Sequence, residues 1–402
     1  MRCWTVQEGE SVLQEVMERK LIRSIRWDSS GLAVFVSRSF QQLANRKRFV
    51  ADKSPWWFFS HEWPKKMSGW VSEFIDGTYR FQPMRTSIMP DETLTMWSYR
   101  DRLFVRALLF LIKPVFQHII SPRCLHLRGP SGVKSALDLV QKALQSGEFK
   151  YFIRTDIKSY YASIDQNILV NQLKKHFQDE RVLNYLEQII TISVDQDGVI
   201  RAPKQGIQRR SSLSPFLSAL YLTDVDKAFE NRTGIYYLRF CDDILILAKT
   251  RRQLSRAKRR LYQMFAALKL KISPHKTKQG DLSKGFHFLG IQFEMNTTDA
   301  REVSTVQGLV AQTQAFQNPW NMTLHERCYV RSLAKVLSLR SDAVHPAKIQ
   351  RYLVSWLTWW THACKTILPS ACIPLWVQRA LRDAPELTWL GRGLLLGNAS
   401  CA

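Results

Sequence analysis

The sequence predicts an α+β fold in which antiparallel strands are backed by helices, and three observations carry that prediction. β-prone runs alternate with amphipathic helical patterns along the middle of the chain. Turn dipeptides fall where strand-like runs must double back. Of the 402 residues, 45% are hydrophobic, enough for a sizeable core, and length alone allows two or three domains.

Taken in order, the first ninety residues are aromatic-rich and densest in KSPWWFFSHEWPKK (53–66). Such a cluster can stack bases or pin a small subdomain; packing is the better account, because large aromatics dominate cores. WSYRDRLFVRALLFLIKPVFQ (97–117) places apolar residues at helical spacing and stops before Ser121-Pro122. SGVKSALDLVQKALQSG predicts a second helix from near Ser131 to Gly147, FKYFIRTDI (149–157) has strand composition, and DQNILVNQLKKHF (165–177) returns to helix. TISVDQDGVI (191–200) predicts a hairpin about Asp197-Gly198. SPFLSALYLTDVDKAFE (214–230) predicts one helix with Ser214 as its cap and Pro215 in its first position. GIYYLRFCDDILILAK is strongly β-prone, RRQLSRAKRRLYQMFAALKL is a basic amphipathic helix, and KGFHFLGIQFE (284–294) is again strand-like. After Glu294, LHERCYVRSLAKVLSL (324–339) and KIQRYLVSWLTWWTHACKTI (348–367) predict a separate helical part.

Charge narrows the function. With 58 Lys and Arg against 34 Asp and Glu, the net charge is +24, which suits a chain that neutralises phosphates. An anionic membrane surface would satisfy the same charge, but the longest apolar run, ALLFLIKPVF (107–116), is interrupted by Lys113 and Pro114 and falls short of the roughly 20 residues a span needs. The acidic N-terminal stretch lacks an apolar core of signal type, so a cytoplasmic protein without membrane association is expected. Seven scattered cysteines, with no C-x-x-C pair, predict reduced thiols rather than a disulfide framework or a zinc site.

The stretch that most needs explaining is LRFCDDILIL (238–247), where Asp242 and Asp243 interrupt an apolar run. Two adjacent buried carboxylates repel, so they must lie at an exposed turn or face something strongly positive. Arg239 and Lys249 are available for surface pairing; a divalent ion is the sharper proposal. A carboxylate set without His or Cys suits Mg²⁺, which shares its coordination with water and substrate phosphates, and a two-ion site clamps both oxygens of an in-line phosphoryl displacement. Such a site needs a third carboxylate, and Asp156 at the end of KYFIRT is the natural donor. Alone, Asp156 would serve equally as a helix cap.

FIRTDIKSYYASID, GIQRRSSLSPFLSALYL, RFCDDILIL, LKLKISPHKTK and GFHFLGIQF follow the order, spacing and character of the catalytic-core motifs of reverse transcriptases. The chain resembles the bacterial kind related to group II intron enzymes and retrons, and most of all the stand-alone, defence-associated ones of abortive-infection type. TYRFQPMRTSI (78–88) and the two segments that follow it resemble the same family's fingers. The resemblance implies a right-hand polymerase: an aromatic-rich extension over 1–77, fingers over 78–150, a palm with part of the fingers over 151–294, and a helical thumb over 295–402. It implies that Asp156, Asp242 and Asp243 are catalytic and hold Mg²⁺, two ions with Mn²⁺ as the substitute, and that Ile157 offers the metal its backbone carbonyl. Tyr161 matches the steric gate beneath the sugar, with a core tyrosine as the bland account. Lys276 matches a lysine placed near the leaving pyrophosphate, with Lys278 nearby, and Phe288, Leu289 and Gly290 match the primer-grip hairpin. Arg102 and Arg85 are candidate phosphate contacts or simply solvated arginines.

The departures from the family pattern are local. Arg209 and Arg210 stand where relatives carry Gln and Gly beside the incoming nucleotide, so they add triphosphate contacts, or the loop is re-registered and Gln205-Gly206 takes over. Asp91 and Glu92 replace the cations of the fingertip, and Ala162 replaces an Asp after the gate. The expected function is an RNA-directed DNA polymerase using dNTPs on a dedicated non-coding RNA template, with a DNA product, in anti-phage defence. The absence of a recognisable endonuclease tail favours a stand-alone enzyme over a mobile intron protein. The alternatives are a maturase-like RNA binder of a mobile retroelement and a polymerase with an RNA product; a homo-oligomer or a protein partner is left open.

Overall fold

The computed structural model describes Trp27 and residues 29–46, 55–88, 93–196, 198–209, 211–295 and 320–324, with a few isolated positions beyond. The chain divides into two compact units, each assembled from three stretches: residues 1–127, 156–231 and 258–274 form the first, and 128–155, 232–257 and 275–402 the second. Among the described residues, no helix is long and apolar enough to cross a membrane.

The first unit opens with α1 (Ser29–Arg46) and α2 (Pro55–Asp76), and the dense aromatic cluster is spent on packing. Phe40 stacks on Trp63 with centroids 4.6 Å apart, and Trp56 meets Tyr99 edge-on at 5.2 Å. Helix α3 (Tyr99–Ile119) buries Phe104, Leu108, Ile112, Val115 and Ile119 along one stripe. Its start is fixed twice: the Ser98 hydroxyl accepts from the Asp101 N–H, while Asp101, wholly buried, accepts from Ser98 Oγ and Tyr79 Oη (both 2.7 Å) and from the Gln82 N–H. Pro114, expected to interrupt the run, lies inside this helix on its exposed face, where water can serve the carbonyl that the missing N–H leaves unpaired.

Strands β1 (Met84–Ile88) and β2 (Thr93–Met96) form an antiparallel hairpin, and β1 also pairs in parallel with β4 (Val194–Gln196), which turns back through β5 (Val199–Arg201). The sheet order is β2-β1-β4-β5, so the predicted second hairpin exists but joins the β1/β2 hairpin; Asp197 itself lies outside the described residues. A short α5 (Tyr160–Ser163) precedes α6 (Gln166–His176) and α7 (Glu180–Ile190), capped by Asp165 and Asp179. The expected helix over 214–230 is two helices, α8 (Ser214–Tyr221) and α9 (Thr223–Glu230), broken at Leu222. Ser214 is not their cap: its hydroxyl donates to the Gln208 carbonyl, and Leu213 holds the cap position without a side-chain bond.

The second unit is built on a four-stranded sheet, β6-β7-β3-β8, from β3 (Tyr151–Asp156), β6 (Ile235–Phe240), β7 (Asp243–Ala248) and β8 (Lys278–Asp281). Inner strand β7 is buried at every residue from Ile244 to Ala248, which is why its sequence is continuously apolar rather than alternating. Helix α4 (Gly132–Gln145) is tied to the sheet where the Tyr236 hydroxyl donates to the Leu139 carbonyl, and α10 (Arg251–Ala267) follows β7. A second sheet comprises β9 (Phe286–Phe288), β10 (Ile291–Met295) and β11 (Trp320–Leu324). Strand β11 pairs with β10 in a stretch expected to be helical; the predicted helices over 324–339 and 348–367 lie outside the described residues except for isolated positions.

Candidate active site

The hairpin of β6 and β7 closes in two residues, Cys241-Asp242, with Phe240 and Asp243 as the last paired positions. Cys241 is left-handed (φ 57°), a conformation that costs a non-glycine residue about 1–2 kcal/mol. The expectation that Arg239 pairs at the surface is wrong. Arg239 is wholly buried and donates from Nη1 to the Cys241 carbonyl at 3.1 Å, holding the strained tip from beneath. Lys249 instead pairs with Glu148 at 2.7 Å. Asp242 and Asp243 are half-buried at this tip.

Strand β3 lies next to β7, and the N–H of Lys150, just before β3, donates to the carbonyl of Ala248, the last residue of β7. A parallel neighbour would run past the end of β7, so the two strands are antiparallel. Asp156, 4% exposed, closes β3. On the other side of β3, Arg154 pairs with Lys278, the Thr155 and Thr277 hydroxyls bond at 2.8 Å, and Arg154 Nη2 donates to the Lys276 carbonyl. That fixes the backbone of Lys276 while its side chain stays exposed.

In the first unit, Ile157 is buried and bridges to Ile272, and the Asp156 carbonyl accepts from the Ser273 N–H at 2.9 Å. Tyr161 is half-buried, in edge contact with Tyr160 (centroids 5.9 Å), and its hydroxyl accepts from Ser218 Oγ at 3.4 Å. The segment behind it was not singled out as structural by the sequence. Gly206 donates to the Ile164 carbonyl, Ile207 donates to the Tyr161 carbonyl, Gln166 Nε2 donates to the Gly206 carbonyl, and Gln205 Nε2 donates to the Ser163 carbonyl. At φ +87°, with Ala162 Cα only 3.0 Å from where a β-carbon would stand, any side chain at position 206 is strained and must push the Tyr161–Ala162 backbone aside. The Gln-Gly dipeptide was the available signal. Arg209 is exposed, the Gln208 amide oxygen accepts from the Thr95 hydroxyl at 3.0 Å, and Arg210 lies outside the described residues, as do Asp91 and Glu92. Arg102, whose guanidinium lies 5.9 Å from the Tyr99 ring centre, and Arg85 line a separate cavity with none of the three aspartates. In the second unit, Leu289 and Gly290 (φ 48° and 85°) make the tight turn between β9 and β10, with Phe288 fully buried.

Among the described residues, no three His, Cys, Asp or Glu side chains are grouped so as to hold an ion by themselves. The donor set is nonetheless all oxygen, which suits a hard ion that takes one or two carboxylates and completes its shell with water and phosphate. Carboxylates on a strand end and a hairpin tip, in a chain of net charge +24, are compatible with chemistry on phosphate esters.

Comparison with known proteins agrees. The pattern of the family "Reverse transcriptase (RNA-dependent DNA polymerase)" matches residues 93–293, half of the chain. The chain belongs to the reverse transcriptase family, and by family it is an RNA-directed DNA polymerase; its described fold is mixed α+β. Protein YkfC of Escherichia coli is 23% identical over 279 residues, 58% of this chain and 73% of its own length. The COX1/OXI3 intron 1 protein of Saccharomyces cerevisiae is 22% identical over 171 residues, 41% of this chain and 20% of its own. Apo telomerase from Candida tropicalis aligns over 75% of this chain and 62% of its own at 13% identity and a TM-score of 0.44. A form of it truncated from the C-terminal domain aligns over 58% of each chain at 14% identity and 0.41. The chain therefore spans less than two thirds of the length of the yeast and Candida proteins.

Proposed function

We propose that this protein copies an RNA template into DNA by adding dNTPs to a primer hydroxyl, with Asp156, Asp242 and Asp243 as the carboxylates of the transfer site. The observation that carries the reading is the match of residues 93–293 to the reverse transcriptase family, within which Asp156 closes one strand and Asp242 and Asp243 stand at the tip of a hairpin. The proposed cofactor is Mg²⁺, two ions with Mn²⁺ as the substitute; when bound, it supplies charge neutralisation on the attacking and leaving oxygens of the phosphoryl group. The chain contributes the rest. The three carboxylates and the Ile157 carbonyl would hold the ions, with water and substrate phosphate completing their shells, and Lys276 would be the cation that stabilises or protonates the leaving pyrophosphate. Tyr161 excludes a 2′-hydroxyl, with Gly206 setting its position, and Arg209 and Arg210 contact the triphosphate. A dedicated non-coding RNA as template, a role in anti-phage defence and a cytoplasmic setting belong to the same proposal; the resemblance of the motifs supports the first two, and the basic charge supports RNA binding.

The test is the Asp242→Ala, Asp243→Ala double variant. It is expected to lose dNTP incorporation on a primed RNA while retaining RNA binding, because the basic surface is untouched. Retained incorporation overturns the assignment. If the wild-type protein binds RNA but never incorporates dNTPs, the RNA-binder reading takes its place.

A further inference from the structure

A cavity of about 840 Å³ lies wholly within the first unit, between α2, the β1/β2 hairpin and the start of α3. Its lining includes the aromatic residues Phe58, Phe59, Trp70, Trp97 and Tyr99 together with Lys66, Arg85, Arg100 and Arg102. Among the described residues of the lining the acidic group is Glu62, which is engaged by Lys66 at 3.1 Å. The cations differ in what they already do. Arg100 is laid over Trp70 (5.6 Å) and Tyr79 (4.9 Å), and Arg102 stands beside the Tyr99 ring, whereas Arg85 projects from β1 exposed to solvent. Phe58 leaves 56% of its surface in water and Met96 44%, a large apolar exposure for one small region. Aromatic rings give an apolar slot, and the surplus positive charge gives an anion its counter-charge.

We propose that this cavity is a nucleotide-binding site separate from the transfer site, taking one unpaired nucleotide with its base between the aromatic walls and its phosphate at Arg85 and Arg102. The volume suits the ligand class, since drug-sized molecules occupy pockets of roughly 300–1,000 Å³. Stacking on aromatic faces tolerates any base, so the site grips an unpaired nucleotide without reading sequence. The proposal stands apart from the assignment of the aspartates, because binding here needs neither metal nor turnover.

The nucleotide can come from two sources, a free mononucleotide or an unpaired position in a strand, and the test separates them. The full-length protein is titrated in EDTA with AMP in one arm and with a short oligoadenylate in the other, followed by tryptophan quenching. Saturable binding of AMP assigns a free nucleotide; binding of the oligoadenylate alone assigns a strand. Phe58→Ala with Arg85→Gln, both exposed positions, is expected to weaken the productive arm about tenfold or more. A photoreactive 8-azido-AMP, or a 4-thiouridine in the oligonucleotide, then maps the contact and is expected to label the peptides spanning 55–102. Labelling confined to other peptides, affinity unchanged in the double variant, or no saturation of either probe below millimolar concentration overturns the proposal.

Discussion

Gly206→Ala is the most informative single change in this chain. The new β-carbon would stand 3.0 Å from Ala162 Cα, 3.1 Å from the Ala162 carbonyl oxygen and 3.2 Å from the Tyr161 carbonyl oxygen, and the residue would have to keep φ +87°. The left-handed backbone costs a non-glycine residue about 1–2 kcal/mol. Relief of the contact must come from moving the Tyr161–Ala162 backbone, which strains the bonds from Gly206 N–H to the Ile164 carbonyl (2.8 Å) and from Ile207 N–H to the Tyr161 carbonyl (2.9 Å). Each is worth about 1 kcal/mol net. Alanine offsets about 0.4–1 kcal/mol of this by stiffening the unfolded chain, leaving about 2–3 kcal/mol of destabilisation. A shift of a few tenths of an ångström at the proposed sugar gate is expected to raise the KM for dNTPs about tenfold, given that a 1 Å misplacement costs on the order of a hundredfold. Discrimination against NTPs is expected to fall with it. Thermal unfolding and steady-state incorporation with dNTP and NTP measure the two effects. An unchanged midpoint together with an unchanged KM would refute both the geometry at position 206 and its link to Tyr161.

Three further outcomes follow from buried or paired groups. Burial pushes the Asp101 carboxyl up, against the Tyr79 and Ser98 hydroxyls that hold it down. Removing one of these donors in Tyr79→Phe should cost about 1.5–3 kcal/mol. A raised folded pKa means that stability is lost as pH rises through it, so the variant's deficit in unfolding midpoint should grow from acidic to neutral pH; a deficit that shrinks contradicts the buried-carboxylate account. Asp165 is the opposite case: the hydrogen bond from Lys269 (2.6 Å) and the Ile168 N–H hold its carboxyl below the usual 3.8. Its contribution is present above that value and is lost as pH falls through the lowered one. Lys269→Met should therefore raise the Asp165 pKa towards 3.8, measurable by NMR titration, with only a small change in stability because Lys269 is largely exposed. In Arg239→Met, the Cys241 carbonyl loses a buried charged donor, and incorporation should fall more than RNA binding does; equal losses would point to general unfolding instead.

What the sequence made legible was local. Alternation of period, the Asp-Gly turn and the β-prone run around Asp242-Asp243 were enough to predict β3, the β4/β5 hairpin, the strands β6 and β7 and most of the helices, because each depends on neighbours a few residues away. The failures have physical causes. Helix α7 is the exception: Asp179 caps it, and Val182, Tyr185, Leu186, Ile189 and Ile190 recur at the i, i+3, i+4, i+7, i+8 spacing of an amphipathic helix, so its signal stood in the sequence and was passed over. Ser214 precedes a proline as a cap should, yet its hydroxyl is drawn to the Gln208 carbonyl by a loop whose path no local pattern reveals. The parallel pairing of β1 with β4 joins residues about a hundred positions apart and leaves no mark on either strand. At the candidate site, the aspartates were visible as a charge anomaly, whereas the buried Arg239 looked like an ordinary surface cation because its role depends on the turn folding over it.

The alternation of the two units along the chain has a consequence for how the protein is made. The first unit takes its last stretch from residues 258–274, after the chain has twice left to build the second. Its own sheet cannot form until β4 at 194–196 has been synthesised to meet β1 at 84–88. At about 5–20 residues per second, the ribosome therefore leaves β1 and β2 without their partner for several seconds, longer than hairpins and helices need to form. An edge strand exposed for that time is a site for mispairing. Neither unit exists as a contiguous fragment, so a nascent chain arrested before residue 194 should be markedly more prone to aggregate than one released after residue 295.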